Sequence, residues 1–204
     1  DEPSWHSAVE RGFVDYVERA LRGGYPDAHA LDDHPRARWL RAYLDGVLSR
    51  DIRELVKIED VGRLRRLFAL VAASSGQLLK RSSIARDAEL AQGTASTWVD
   101  LLASTHLVDI VPGWGGSHRS RVVRMPKVYV NDSGLVAAVL RLTPATAFDD
   151  PALTGALAET FVMQELLRQI SALADADVRV WHYRDRDQRE IDLVLARGMI
   201  AWGL

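Results

Sequence analysis

The chain contains no cysteine in its 204 residues. Disulfides, thiolate metal ligands and cysteine nucleophiles are thereby excluded, and the composition fits a reducing interior. Also missing is any apolar run approaching the roughly 18 residues that a membrane span needs. The first residues, DEPSWHSAVERG, are acidic and polar rather than signal-like. Charge of either sign is not in excess: 26 Lys and Arg stand against 28 Asp and Glu, a net charge of −2. No whole-molecule field therefore draws the protein to nucleic acid or anionic lipid, and any such contact needs a local patch. No Ser, His and Asp arrangement stands out as a nucleophilic triad, and the serine clusters fall at expected helix starts, where caps belong. The expectation is a soluble cytoplasmic protein with no membrane contact.

What is present is enough for a core. At 48% hydrophobic content, the chain can form one large domain or two to three small ones. The first third reads as helical. Val9, Phe13, Val17 and Leu21 recur at four-residue steps before Gly23 and Gly24, which suit a helix end, and Pro26 closes the segment. Asp33 is a candidate cap for the next helix, with Pro35 near its first turn. Leu40, Tyr43, Leu44, Val47, Leu48, Ile52, Leu55 and Val56 then mark one long amphipathic helix, or two with a bend near Ser49.

The middle third has the order of a small winged helix. GRLRRLFALVAASSG is an apolar helix stopping at Gly76. SSIARDAEL offers a Ser cap and a short helix, and TASTWVDLLASTHLV follows the turn AQG with Ala95, Trp98, Leu101 and Leu102 on one face. LVDIVPGW and SRVVRMPKVYV then predict a hairpin with a Gly-rich tip. A recognition helix that reads bases carries basic or amide side chains. Residues 94 to 104 hold no Lys, Arg, Asn or Gln and one carboxylate, Asp100. The hairpin differs, because Arg119, Arg121, Arg124 and Lys127 put four positive charges within nine residues. That patch suits phosphates without sequence reading, or a partner domain. Arg50, beside Asp51 on the long helix, is a further candidate phosphate or interdomain contact.

The last third predicts a short helix in NDSGLVAAVLRL, a loop in TPATAFDDP and a strong helix in TGALAETFVMQELLRQISAL. Two strands, DVRVWHY and REIDLVLA, follow with RDRDQ between them. Alternation puts Glu190, Asp192 and Val194 on one face and Ile191, Leu193 and Leu195 on the other. In the helix, Glu159 falls on a stripe with Val162, Leu166 and Ile170. A carboxylate on a packed face is costly unless something positive or hydrogen-bonding receives it. Glu159 and Asp192 are therefore candidates for one shared site, as metal ligands and catalytic acids for magnesium or manganese in phosphodiester hydrolysis. The bland reading is a salt-bridged hairpin using Arg184 or Arg189. Trp39 and Trp98 read as core, and His182 as structural.

The ordered runs GGYPD, WLRAYLDGVLSRDIREL, SIARDAELAQGTASTWVDLLASTHLVDIVPGW, MPKVYVNDSGLVAAVL, GALAETFVMQEL and WHYRDRDQREIDLVLA resemble prokaryotic ATPases of the AAA+ superfamily that end in the domain of unknown function DUF4143. The resemblance covers nearly the whole chain. It implies an α+β protein with a helical lid segment of the ATPase at 1–60, a winged-helix domain at 61–130 and the start of a restriction-endonuclease-like domain at 131–204. It also implies an upstream ATPase domain as partner, with ATP and Mg bound there. No G-x-x-x-x-G-K-[ST] loop occurs here, and SSGQLLKRSS fails that spacing, so this stretch should not hydrolyse ATP by itself. Carried over by position, Glu159 resembles the helix acid and Asp192 the first strand acid of the nuclease-like core. A Glu-x-Lys completes that set in the family on the next strand, which should be starting at AWGL. Without it, nuclease activity is not expected.

Three readings follow: an interaction and regulatory portion of an AAA+-type ATP-binding protein, a metal-dependent nuclease using Glu159 and Asp192, and a non-specific winged-helix DNA-binding module. Nothing in the residues selects an oligomeric state. The DNA reading predicts salt-dependent binding that weakens when Arg119, Arg121 and Arg124 are changed to alanine, while changes in residues 94 to 104 do little; filter binding across a salt series measures both.

Overall fold

The structure is a computed structural model that describes residues 12–52, 58, 60–115, 125–173, 177–185, 187, 189–198 and 200–203. It is an α+β fold, mostly helical, with two small antiparallel sheets of three strands each among the described residues.

Helix α1 (Phe13–Arg22) buries Val17 and Ala20 and ends at Gly23, whose φ of 72° lies in the left-handed region that glycine tolerates. Val9 lies outside the described residues. Phe13, expected on the packed stripe, is mostly exposed, and its ring meets Phe148 edge-on at 6.3 Å. Pro26 opens a short helix, α2 (Pro26–His29), rather than closing a segment, because the first helical position needs no N–H. Helix α3 (Asp33–Gly46) starts at its expected cap, which makes Asp33 the first helical residue rather than the residue before it. Asp32 holds the cap position without a side-chain bond, and Asp33 instead pairs with Arg36 at 2.9 Å. The bend expected near Ser49 takes the form of a π-helical turn over Val47–Asp51, from which Ile52 continues. Leu55 and Val56 lie outside the described residues.

Helix α4 (Val61–Ala73) is capped by Asp60, which accepts from the Arg63 N–H. A turn through Gly76, with φ 81°, leads into β1 (Gln77–Leu78). Helix α5 (Arg81–Asp87) lacks the predicted Ser cap, since Lys80 precedes it and both serines lie inside it. Helix α6 (Gln92–Ser104) buries Ala95, Trp98, Val99 and Leu102. Strands β2 (Val108–Val111) and β3 (Lys127–Val130) pair antiparallel as expected, and β1 adds to the other edge of β3, giving the order β1-β3-β2. The hairpin tip at 116–124, with Arg119, Arg121 and Arg124, lies outside the described residues.

Helix α7 (Ser133–Leu140) is capped by Asp132, which accepts from the Leu135 N–H. The segment expected as a loop is helix α8 (Pro144–Asp149). Thr143 and Thr146 cap each other reciprocally there, and Pro144 fits the first turn. Helix α9 (Pro151–Ala172) follows, with Asp150 accepting from the Ala152 and Leu153 N–H groups. Strands β4 (Val178–Arg184), β5 (Glu190–Arg197) and β6 (Ile200–Gly203) form the second sheet, in that order. The two sheets touch where the Trp114 N–H donates to the His182 carbonyl at 2.6 Å and the His182 N–H to the Pro112 carbonyl at 3.1 Å. Buried His182 also places Nε2 3.0 Å from the Met125 carbonyl.

One hydrophobic cluster runs from Ala20 on α1 to Leu157 on α9 and takes in Trp98, while Trp39 is half-buried against it and stacks on Tyr43 at 5.6 Å. Its tightest joint has almost no side chain. A Cβ on Gly134 would lie 2.5 Å from the Arg22 carbonyl oxygen, so α1 ends directly on the backbone of α7. Asp132, almost wholly buried, locks this joint: it accepts from the Gly24 N–H at 2.7 Å, and Arg168 of α9 reaches it at 3.3 Å. Burial raises the pKa of its carboxyl, an effect the Gly24 and Leu135 N–H groups oppose. Among the described residues no helix is long and apolar enough to cross a membrane. Gly134→Ala must push α1 off α7, and a loss of about 1–3 kcal/mol is expected in chemical denaturation.

Candidate functional site

Strand β3 carries two functions on two faces. Its even-numbered residues, Val128 and Val130, enter the main cluster, so alternation turns Lys127 and Tyr129 towards α9 and the second sheet. Tyr129 packs there with Val111, Met163 and Leu193. Helix α9 is held beside β3 by Ser75, whose hydroxyl lies 2.8 Å from that of Thr160 and accepts from the Val130 N–H at 3.0 Å. That register brings Glu159, one residue before Thr160, over Lys127 and Tyr129.

The stripe expected for Glu159 is displaced. The buried residues of α9 are Thr154, Leu157, Thr160, Met163 and Gln164, and Val162 is 50% exposed. Glu159 stands at the rim of the packed face, its side chain 25% exposed. It is nevertheless received as the cost of burial requires. Lys127 Nζ donates to Glu159 Oε1 at 2.8 Å, and the Tyr129 hydroxyl donates to the same oxygen at 2.6 Å. The same ammonium donates to Asp192 Oδ1 on β5 at 2.9 Å. Glu159 and Asp192 thus do share a partner, and the partner is Lys127.

Lys127, grouped by charge with the arginines of the hairpin, has a side chain only 5% exposed. Burial alone would lower its pKa, but the hydrogen bonds it donates to Asp192 and Glu159 outweigh that and hold it above the ordinary lysine value. Burial, then the charge of Glu159, push the Tyr129 hydroxyl well up, so it stays a donor. Glu190 takes no part: Arg184 holds it at 2.5 Å across the turn between β4 and β5, where Asp185 also accepts from the Arg189 N–H at 2.9 Å. One strand therefore carries a hairpin carboxylate and a site carboxylate two residues apart. A groove of about 500 Å³ opens beside the site, with Lys80, Asp87, Lys127, Glu159, Arg184 and Glu190 in its walls.

A hard divalent ion needs several oxygens at about 2.0–2.6 Å. In the structure the Lys127 ammonium stands between Glu159 and Asp192, and among the described residues no group of three or more His, Cys, Asp or Glu is placed to hold such an ion. Elsewhere, Asp100 of α6 pairs with Arg81 at 2.6 Å, and exposed Arg50 lies 3.6 Å from Asp51. Tyr129 was missed in the sequence. Its signal was available in KVYV, where strand alternation sets Lys127 and Tyr129 opposite two valines.

The chain belongs to the family described as Domain of unknown function (DUF8612), whose model matches residues 14–146. A second family model, Domain of unknown function (DUF4143), matches residues 154–203, the stretch that carries Glu159 and Asp192. Two relatives, an uncharacterized protein of Mycobacterium bovis and one of Mycobacterium tuberculosis, are each 30% identical over 174 residues, 85% of this chain and 38% of their own length. The chain thus spans well under half of the curated relatives it matches. No solved structure matches it.

Lys127→Met leaves two carboxylates facing each other. Breaking a fully buried pair costs about 3–5 kcal/mol, but Asp192 is half-exposed and screened, so a loss of about 1–3 kcal/mol is expected in urea denaturation. The pH dependence has a definite sign. A lysine whose pKa is raised in the fold stabilises it fully below the unfolded value of about 10.4, and that contribution disappears as pH rises through the folded value. Alkaline titration of stability above about pH 10.4 should show a component in the wild type that Lys127→Met lacks.

Proposed function

We propose that this chain is an interaction and regulatory portion of an AAA+-type ATP-binding protein, acting in the cytoplasm, with ATP and Mg bound by another part of the same protein. The observation that carries the reading is the Lys127 bridge. A single ammonium from the first sheet satisfies one carboxylate on the long helix and one on the second sheet, which suits a joint transmitting position between modules better than an open catalytic centre. The order of its pieces resembles that of such ATPases, the DUF4143 match falls at its C-terminal end, and the relatives are long enough to carry a further domain. The order α4-β1-α5-α6-β2-β3 with its β1-β3-β2 sheet supports a winged helix. The absence of Lys, Arg, Asn and Gln from residues 94 to 104 favours a protein partner over base reading.

A second reading, the metal-dependent nuclease, is supported by the placement of Asp192 on the central strand of β4-β5-β6, across from Glu159 and beside the groove. It needs Lys127 to leave the pair. The two readings separate in the full-length protein. ATP turnover with Mg²⁺ is measured for the wild type, Lys127→Met and Asp192→Asn, and plasmid cleavage is followed with Mn²⁺. The regulatory reading expects ATP turnover that either substitution changes by about fivefold or more, the lower end of ordinary coupling between sites. It fails if the protein has no ATP turnover or if neither substitution alters it. Cleavage abolished by Asp192→Asn would put the nuclease reading ahead.

A further inference from the structure

A larger cavity, about 810 Å³, lies on another part of the molecule, between α1 and α3 on one side and α7 with the start of α8 on the other. Its volume is in the range of small-molecule sites. Four arginines line it, Arg22, Arg36, Arg41 and Arg141, against two acidic residues, Glu18 and Asp33. One of those carboxylates is already engaged, since Asp33 pairs with Arg36 at 2.9 Å. The walls between the charges are apolar, including Leu21, Leu40 and Leu142.

Three features separate this from an ordinary basic surface. Two of the arginines are held in place: Arg41 donates to the Ala138 carbonyl at 3.2 Å, and Arg36, 7% exposed, donates to the Leu31 carbonyl as well as to Asp33. Arg36 Nε is buried with no hydrogen-bond partner among the described residues, so the guanidinium is held at its Nη1 and Nη2 ends alone. Arg141 follows the last turn of α7 with φ 56° and ψ 40°, the left-handed conformation that usually calls for glycine. A long cationic side chain is therefore kept where the backbone disfavours it. Among the described residues neither Arg22 nor Arg141 has an ion pair, so both guanidinium groups are available.

We infer that this cavity binds a phosphate-bearing small molecule, its anionic head met by Arg22, Arg36 and Arg141 and its body resting on the leucine-lined wall. Guanidinium groups suit phosphate because the planar fork donates two parallel hydrogen bonds. The site is composite: α1 and α3 cannot form it without α7 and α8, so occupancy would tie the first third of the chain to the segment after the first sheet. The inference is independent of the Lys127 bridge and of the reading built on it.

The test is thermal unfolding and calorimetric titration of the purified protein with pyrophosphate, at constant ionic strength, beside citrate as a non-phosphate anion. Pyrophosphate should raise Tm saturably and citrate should not. Changing both Arg22→Gln and Arg141→Gly should weaken pyrophosphate binding about tenfold or more, from the loss of charge-assisted bonds. Arg141→Gly alone relieves the left-handed strain, so it should keep the protein folded, with Tm about 2–4 °C higher without ligand. Lys127→Met should bind pyrophosphate like the wild type. The inference is overturned if the wild type shows no saturable response, if citrate matches pyrophosphate, or if the double variant binds as tightly as the wild type.

Discussion

One ammonium group sets the arrangement of the C-terminal half. Lys127 is the first residue of β3, and its charge would be costly to bury without compensation. The two carboxylates that compensate it come from α9 and from β5. Lys127 is buried, Glu159 partly buried and Asp192 half-exposed, and the two carboxylates make the burial of the ammonium tolerable, so α9 and β5 both approach the start of β3. Tyr129 completes the arrangement by donating to the oxygen that Lys127 already holds. The apolar cluster of Val111, Tyr129, Met163 and Leu193 is small, and the hydrogen bonds of the charge triad add directional contacts beside it.

Most of the helices were legible because their signals are local. The steps of four in α1, the long run TGALAETFVMQELLRQISAL of α9 and the apolar run of α4 depend on neighbours in sequence, and the structure places helices there. The misses share a cause. At TPATAFDDP a Thr-Pro start was read as loop because the six-residue helix it opens has too few turns to show a period. The stripe assigned to α9 was rotated because Val162 looks as apolar as Met163, and only the neighbouring sheets decide which is covered.

The site was half legible for a related reason. Glu159 and Asp192 could be paired from the cost of placing acids on packed faces, without knowing what joined them. Their partner sits 32 and 65 residues away in sequence, beside arginines whose charge made it look like one more surface cation. Strand alternation separates Lys127 from that group, since it shares a face with Tyr129 rather than with solvent. Charge density along a sequence is a poor guide where a strand begins, because alternation can turn the first strand residue inwards whatever charge surrounds it in sequence.

The joint at Asp132 has a mechanical consequence. Gly24, at the end of α1, and Arg168, on α9, are both fastened to the same carboxylate, and α1 rests on α7 with no side chain between them. Such a node has little compliance. Arg168 and Glu159 are nine residues apart on one helix, about 14 Å at 1.5 Å per residue. Helix α9 thereby carries two polar anchors about 14 Å apart along one stiff rod, Arg168 on the Asp132 joint and Glu159 on the Lys127 ammonium, so its angle to the first sheet is fixed at two points rather than one.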